Sequence, residues 1–254
     1  KSVGSFKIGS DTMETYIYNI AILILGLIFA SATKCLVDSE EKRSFLTRRS
    51  RCSTCKKELD FLDLIPIVSY LLKCGRCSYC KSRIPFDIFL YEFFTLIVLI
   101  FYFIFNKYFI FLNLFYISIL IYLIFIAIED VRCLEVVDEL FYIFLLLNIG
   151  LLIFNFHFFD IFEWSLLVVI YHILYFIARG SLGYGDIKVF CVLVLNLNFF
   201  EGIYLFAFTF LYAGFFALGI LVFKKVKRGT KIPLVPFIAL GYFSVLLIRE
   251  GILW

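Results

Sequence analysis

Charge is scarce in this 254-residue chain: Asp, Glu, Lys and Arg make up 17% of it, against 63% hydrophobic residues. Soluble domains run at about 45–50% apolar, so an ordinary water-soluble fold is excluded. Only four prolines are present, and the apolar runs are correspondingly long. Histidine occurs twice. His157 falls toward the outer face of the spans given below and His172 inside one, so no Ser/His or Cys/His couple arises. His172 reads as a buried, hydrogen-bonded side chain. The one methionine is Met13; residues 1–12 are polar and read as a remnant outside the fold. No Gly-rich nucleotide fingerprint is visible in residues 34–86, and no inverted repeat in the chain.

What is abundant is apolar length. A membrane-spanning helix needs about 20 mostly apolar residues. Eight stretches come close: 15–33, 87–105, 109–128, 140–156, 161–178, 187–200, 202–223 and 233–250. The sixth is short, as a tilted or partly enclosed helix would be. The expectation is an all-α polytopic membrane protein with about eight transmembrane helices. Residues 13–33 form the first, 34–86 a polar segment, and 87–254 a multi-helix membrane domain.

Lys and Arg set the orientation. With the first span running inward, the connections 34–86, 129–139, about 179–188 and 224–231 hold 20 of the 24 Lys and Arg residues. They are expected on the cytoplasmic side. The net charge of +4 follows from this topology and from attraction to membrane lipid, and is no argument for nucleic acid.

Residues 183–186 read Gly-Tyr-Gly-Asp, with apolar stretches on both sides. An ionisable group at a membrane boundary is costly and usually functional. The glycines supply backbone freedom and close approach. Lys188 follows two residues later, placed to meet a lipid phosphate or a carboxylate, or simply to snorkel. Four of the eight cysteines fall as Cys52-x-x-Cys55 and Cys77-x-x-Cys80. Each pair suits a knuckle offering two thiolates to one metal, and two knuckles complete a tetrahedral zinc site. Cys74 leaves a Cys74-x-x-Cys77 register open. Cys35, Cys133 and Cys191 read as small apolar side chains. The arm between the knuckles, Leu59 to Tyr70, mixes acids with large apolar residues and contains Pro66. It is suited to packing on the knuckles, lying on the membrane, or lining a groove.

From Met13 onward the chain resembles the type IV prepilin leader peptidases, which are membrane aspartic proteases and N-methyltransferases. The likeness rests on Cys52-Ser-Thr-Cys55 followed by Asp63-Leu-Ile-Pro66, on Cys77-Ser-Tyr-Cys80 followed by Glu92, on Gly183-Tyr-Gly-Asp186-Ile-Lys188, and on Ile232-Pro233-Leu-Val-Pro236 through Gly241. This register favours Cys77 with Cys80. The first catalytic aspartate of that family opens an Asp-x5-[Leu/Ile]-Pro-[Asp/Asn] pattern. Asp130 takes its place, although Val137 stands where the proline would be, and Glu129 and Asp138 are rivals.

The resemblance implies a bacterial inner-membrane enzyme whose active site faces the cytoplasm. It would cut the basic leader from type IV prepilin or pseudopilin precursors, then methylate the new N-terminus from S-adenosylmethionine. Asp130 and Asp186 would be catalytic, Gly183, Gly185 and Lys188 would support them, and the four cysteines would hold structural zinc. Glu92 is a candidate for the methyl-donor site by position alone. Two carboxylates sharing one proton perform such hydrolysis without a covalent intermediate. The rivals are a peptidase without methylation, an ion-coupled transporter, and a non-enzymatic adaptor.

Overall fold

A computed structural model describes residues 8–38, 50–52, 54–105, 110–154, 160–178, 182–223 and 232–249. His157, the basic run 224–231 and most of the polar start fall outside them. The described residues are mostly helical, and their only β-pairing is two isolated bridges. The chain divides into two compact units, residues 1–107 and 108–254.

The first unit contains α1 (Ile8–Val37), α2 (Val68–Leu72) and α3 (Phe86–Phe105). Helices α1 and α3 pack together. Their apolar faces are joined by a buried ion pair: Lys34 Nζ lies 2.8 Å from Asp87 and 2.9 Å from Asp38, and 5.4 Å from the centre of the Tyr91 ring. Lys34 is 1% exposed. A charge so enclosed survives only with such partners.

The second unit contains α4 (Ile110–Cys133), α5 (Asp138–Phe154), α6 (Ile161–Ile177), α7 (Tyr184–Leu193), α8 (Phe199–Phe223) and α9 (Val235–Arg249). Phe125, Ile126, Leu140, Phe144, Phe190, Leu193 and Ile238 form its core. Helix starts are chemically marked. The Asp160 carboxylate accepts from the N–H groups of Phe162 and Glu163 and caps α6. Asn198 and Glu201 exchange side-chain-to-backbone bonds of 3.0 Å at the start of α8. Arg249, ending α9, donates from Nε to Glu201 at 2.8 Å, from Nη1 to the Tyr116 hydroxyl at 2.9 Å and from Nη2 to the Asn196 carbonyl at 3.2 Å.

Among the described residues, three helices contain stretches long and apolar enough to cross a membrane: Ile17–Val37, Leu114–Cys133 and Phe199–Leu221. The sixth expected span differs most from expectation. Over 187–200 the chain forms the ten-residue α7, a short 3-10 turn at Val194–Asn196, and the start of α8. Helix α7 starts three residues earlier than the expected span, so Asp186 lies in its first turn. At ten residues it is too short to cross alone.

Candidate active site

Asp186 is the third residue of α7, and its carboxylate bends back over the helix start, where Oδ2 accepts from the Gly183 N–H at 3.2 Å. A Cβ on Gly183 would sit 2.9 Å from that oxygen, so the first glycine makes room for the acid. A Cβ on Gly185 would sit 2.9 Å from Val136 Cγ2. The second glycine therefore lets the segment after Asp130 approach.

Asp130 lies in the last turn of α4 and is 5% exposed. Its Oδ2 accepts from the Val235 N–H, at the start of α9, at 3.1 Å. Each carboxylate is thus held by the N-terminal end of a short helix, where the helix dipole accommodates negative charge. The helix ends with the Leu134 N–H on the Asp130 carbonyl at 2.8 Å, and the φ of 56° at Leu134 then turns the chain away.

Both acids line one cavity of about 990 Å³, together with Glu135, Asp138 and Lys188. Burial, and after it the neighbouring Asp130 charge, push the Asp186 carboxyl up to about 7, against the Gly183 N–H, which holds it down. Lys188 Nζ lies 5.5 Å from the centre of the Tyr184 ring and 5.9 Å from that of Phe141. Glu129 is 2% exposed, sits 3.5 Å from Arg132, and does not line the cavity. Asp138 does line it and stays a rival by position.

In the first unit, Cys52, Cys55, Cys77 and Cys80 bring their sulfurs within 4.8 Å of one another. Cys52 and Cys80 Sγ are 3.9 Å apart. Tetrahedral zinc with bonds of about 2.3 Å separates its sulfurs by about 3.8 Å, so the four thiols fit that ion. The two knuckles repeat each other. Lys56 N–H bonds the Cys52 carbonyl and Lys81 N–H the Cys77 carbonyl, and both lysines have φ of 59°. Isolated bridges close each knuckle, Arg51 with Glu58 and Arg76 with Arg83. Burial pushes the Cys52 thiol up, but hydrogen bonds from the Cys55 and Thr54 backbone and from Ser82 outweigh it and bring it down to about 6. Cys74 lies outside the cluster, which settles the register in favour of Cys77 with Cys80.

Models of known families match most of the chain. The bacterial Peptidase A24 N-terminal domain matches residues 24–106, and the type IV leader peptidase family matches residues 117–218. The chain belongs to the type IV leader peptidase family. No curated protein and no solved structure matches it significantly.

Membership makes the protein a prepilin peptidase by family, and the family implies prepilin substrates. Glu92, the position-based candidate for the methyl-donor site, lies in the first unit. It is 4% exposed, its Oε2 accepts from the Ile67 N–H at 2.6 Å, and it bonds the Ser31 side chain. His172 is half-buried rather than buried, with Nδ1 2.8 Å from the Val168 carbonyl. Two features carried no assigned role in the sequence. One is the Val235 N–H on Asp130, whose signal was the unassigned Ile232-Pro233-Leu-Val-Pro236 block. The other is the Gly185 contact with Val136, which nothing local announces.

Proposed function

We propose that this leader peptidase is an aspartic protease in which Asp130 and Asp186 together activate water. The observation that carries this reading is that both acids line one cavity, each held by a helix N-terminus. Asp186 keeps its proton until about pH 7 and serves as the acid, donating to the scissile carbonyl oxygen. Asp130 takes a proton from the attacking water. The resulting gem-diol collapses as Asp130 gives its proton to the leaving amine and a diol hydroxyl returns a proton to Asp186, so that the carboxylic product forms and both acids regain their starting states.

The substrate is a type IV pilin-like precursor with a basic leader and an apolar first helix. Glu135 and Asp138 at the cavity offer negative charge to that leader. The apolar lengths and the family resemblance support a multi-pass topology of about eight spans in the bacterial inner membrane, and the Lys and Arg asymmetry supports this cavity opening to the cytoplasm. Cys52, Cys55, Cys77 and Cys80 would hold a zinc ion, which would supply a structural crosslink. Methyl transfer from S-adenosylmethionine stands on the family resemblance alone, and no step is assigned to a residue.

The test is Asp130→Asn and Asp186→Asn in purified protein incubated with a prepilin and S-adenosylmethionine. Mass spectrometry reads leader loss and the methyl increment together. Each variant is expected to lose cleavage by about 10³-fold or more. Full-rate cleavage by either one refutes the pair.

A further inference from the structure

The arm between the two knuckles, with Leu71 and Leu72 that follow it, exposes apolar side chains that no described residue of the first unit covers. Leu62 is 69% exposed, Leu71 61% and Leu72 79%, with Leu64 and Val68 also open. A cluster like this on a polar module marks an interaction surface.

Its position says what the surface meets. The Tyr70 ring lies 5.1 Å from Phe89 and 6.4 Å from Phe86, both in the first turn of α3. The Ile67 N–H reaches Glu92, six residues into α3. At 1.5 Å per residue that is about 9 Å along the helix. Helix α3 is one of the expected spans, so the arm lies beside the first 9 Å or so of a helix entering lipid. Amphipathic segments that rest on membranes bury their apolar faces about 5–10 Å deep.

The charge on the adjoining knuckle agrees. On the first knuckle Arg51 is paired with Glu58 at 2.9 Å. The second knuckle instead sets Arg76 against Arg83, with Lys81 between them, all exposed. Shortly after Arg83 the chain passes into α3. A basic cluster there fits the phosphates of anionic headgroups.

We infer that the inter-knuckle arm and the second knuckle form a lipid-docking surface, with Leu71 and Leu72 in the acyl boundary and Arg76, Lys81 and Arg83 on anionic headgroups. The occupant is the bilayer itself. This does not depend on which acids hydrolyse the prepilin.

The test uses the full chain in lipid nanodiscs, with Trp164→Phe and Trp254→Phe as background. Leu72→Trp is compared with Thr54→Trp on the first knuckle, and bound zinc checks the fold of each. Acyl-brominated lipid in discs containing anionic lipid should quench the Leu72→Trp variant at least twofold and leave the Thr54→Trp variant unchanged. Zwitterionic discs should weaken that quenching. Water-like, unquenched emission from the Leu72→Trp variant in both discs overturns the proposal. So does shielding that appears only after a pilin-like helix is added, because the arm would then be a substrate site. Equal quenching in both discs overturns the basic half. If Leu72→Trp loses its zinc, Leu71→Trp is read by the same criteria.

Discussion

Gly185 packs so closely against Val136 that an added Cβ would stand 2.9 Å from Cγ2 and 3.4 Å from Cβ of the valine. Val136 is β-branched and has no flexible end to swing aside. Gly185→Ala therefore pushes the loop after Asp130 away from the helix that carries Asp186. Cleavage is expected to fall about 10- to 100-fold, the scale of a small misplacement of reacting groups. Adding Val136→Ala makes room for the new methyl and should recover most of the rate. If the double variant is no better than the single one, the contact does not set the geometry.

The raised Asp186 acidity gives a pH signature. In the unfolded chain this carboxyl titrates at about 3.9; in the fold it titrates at about 7. Between those values the folded protein holds a proton that the unfolded chain has lost. The stability this contributes is complete below about pH 4, declines as pH rises, and is gone above about pH 7. Thermal unfolding of Asp186→Asn should lack that part of the slope. Cleavage by the unaltered enzyme should decline as pH rises through about 7, because the acid member loses its proton.

The cysteine geometry separates ligands from bystander. Metal analysis should find one zinc per chain. Cys77→Ser should lose it and loosen the knuckles, because three thiolates leave an open coordination position. Cys74→Ser should keep full occupancy. Loss of zinc in Cys74→Ser would mean that the fifth cysteine enters the site.

Ile67 has φ of 61° and ψ of −52°, and the Val68 N–H closes a turn onto the Pro66 carbonyl. This γ-turn geometry is rare and strained, at a cost of about 1–3 kcal/mol for a side chain such as isoleucine. The Glu92 carboxylate on the Ile67 N–H holds it in place. Ile67→Gly should therefore keep the arm folded, since glycine takes this conformation without strain. Glu92→Ala should release it, read as faster hydrogen exchange at the Ile67 amide. Slow exchange in Glu92→Ala would show that other contacts hold the turn.

Local signals made part of this legible in advance. The paired cysteines predicted a four-sulfur cluster, and the sulfurs do converge. The Gly-x-Gly-Asp block marked Asp186, and the end of an apolar run marked Asp130; the two share a cavity. What escaped was contact between distant segments. The Val235 N–H that holds Asp130 lies 105 residues away, and no local pattern reports such a bond. The Ile67 turn escaped for a related reason: a β-branched residue disfavours it, and the Glu92 carboxylate that accepts from its N–H lies 25 residues on. Hydropathy also overstated the sixth span, because apolar residues continue through the 3-10 turn where α7 has already stopped.

Arg249 ties together the far ends of the helices that hold the two cavity acids. From the last turn of α9 it grips the Asn196 carbonyl just beyond α7, and Glu201 on α8. Helix α7 carries one acid, and α9 holds the other by its leading amide. With their trailing ends tied to the same guanidinium, neither helix slides along its axis without dragging its companion. In the proposed mechanism that tie would keep the spacing of the two carboxylates constant when either helix is loaded.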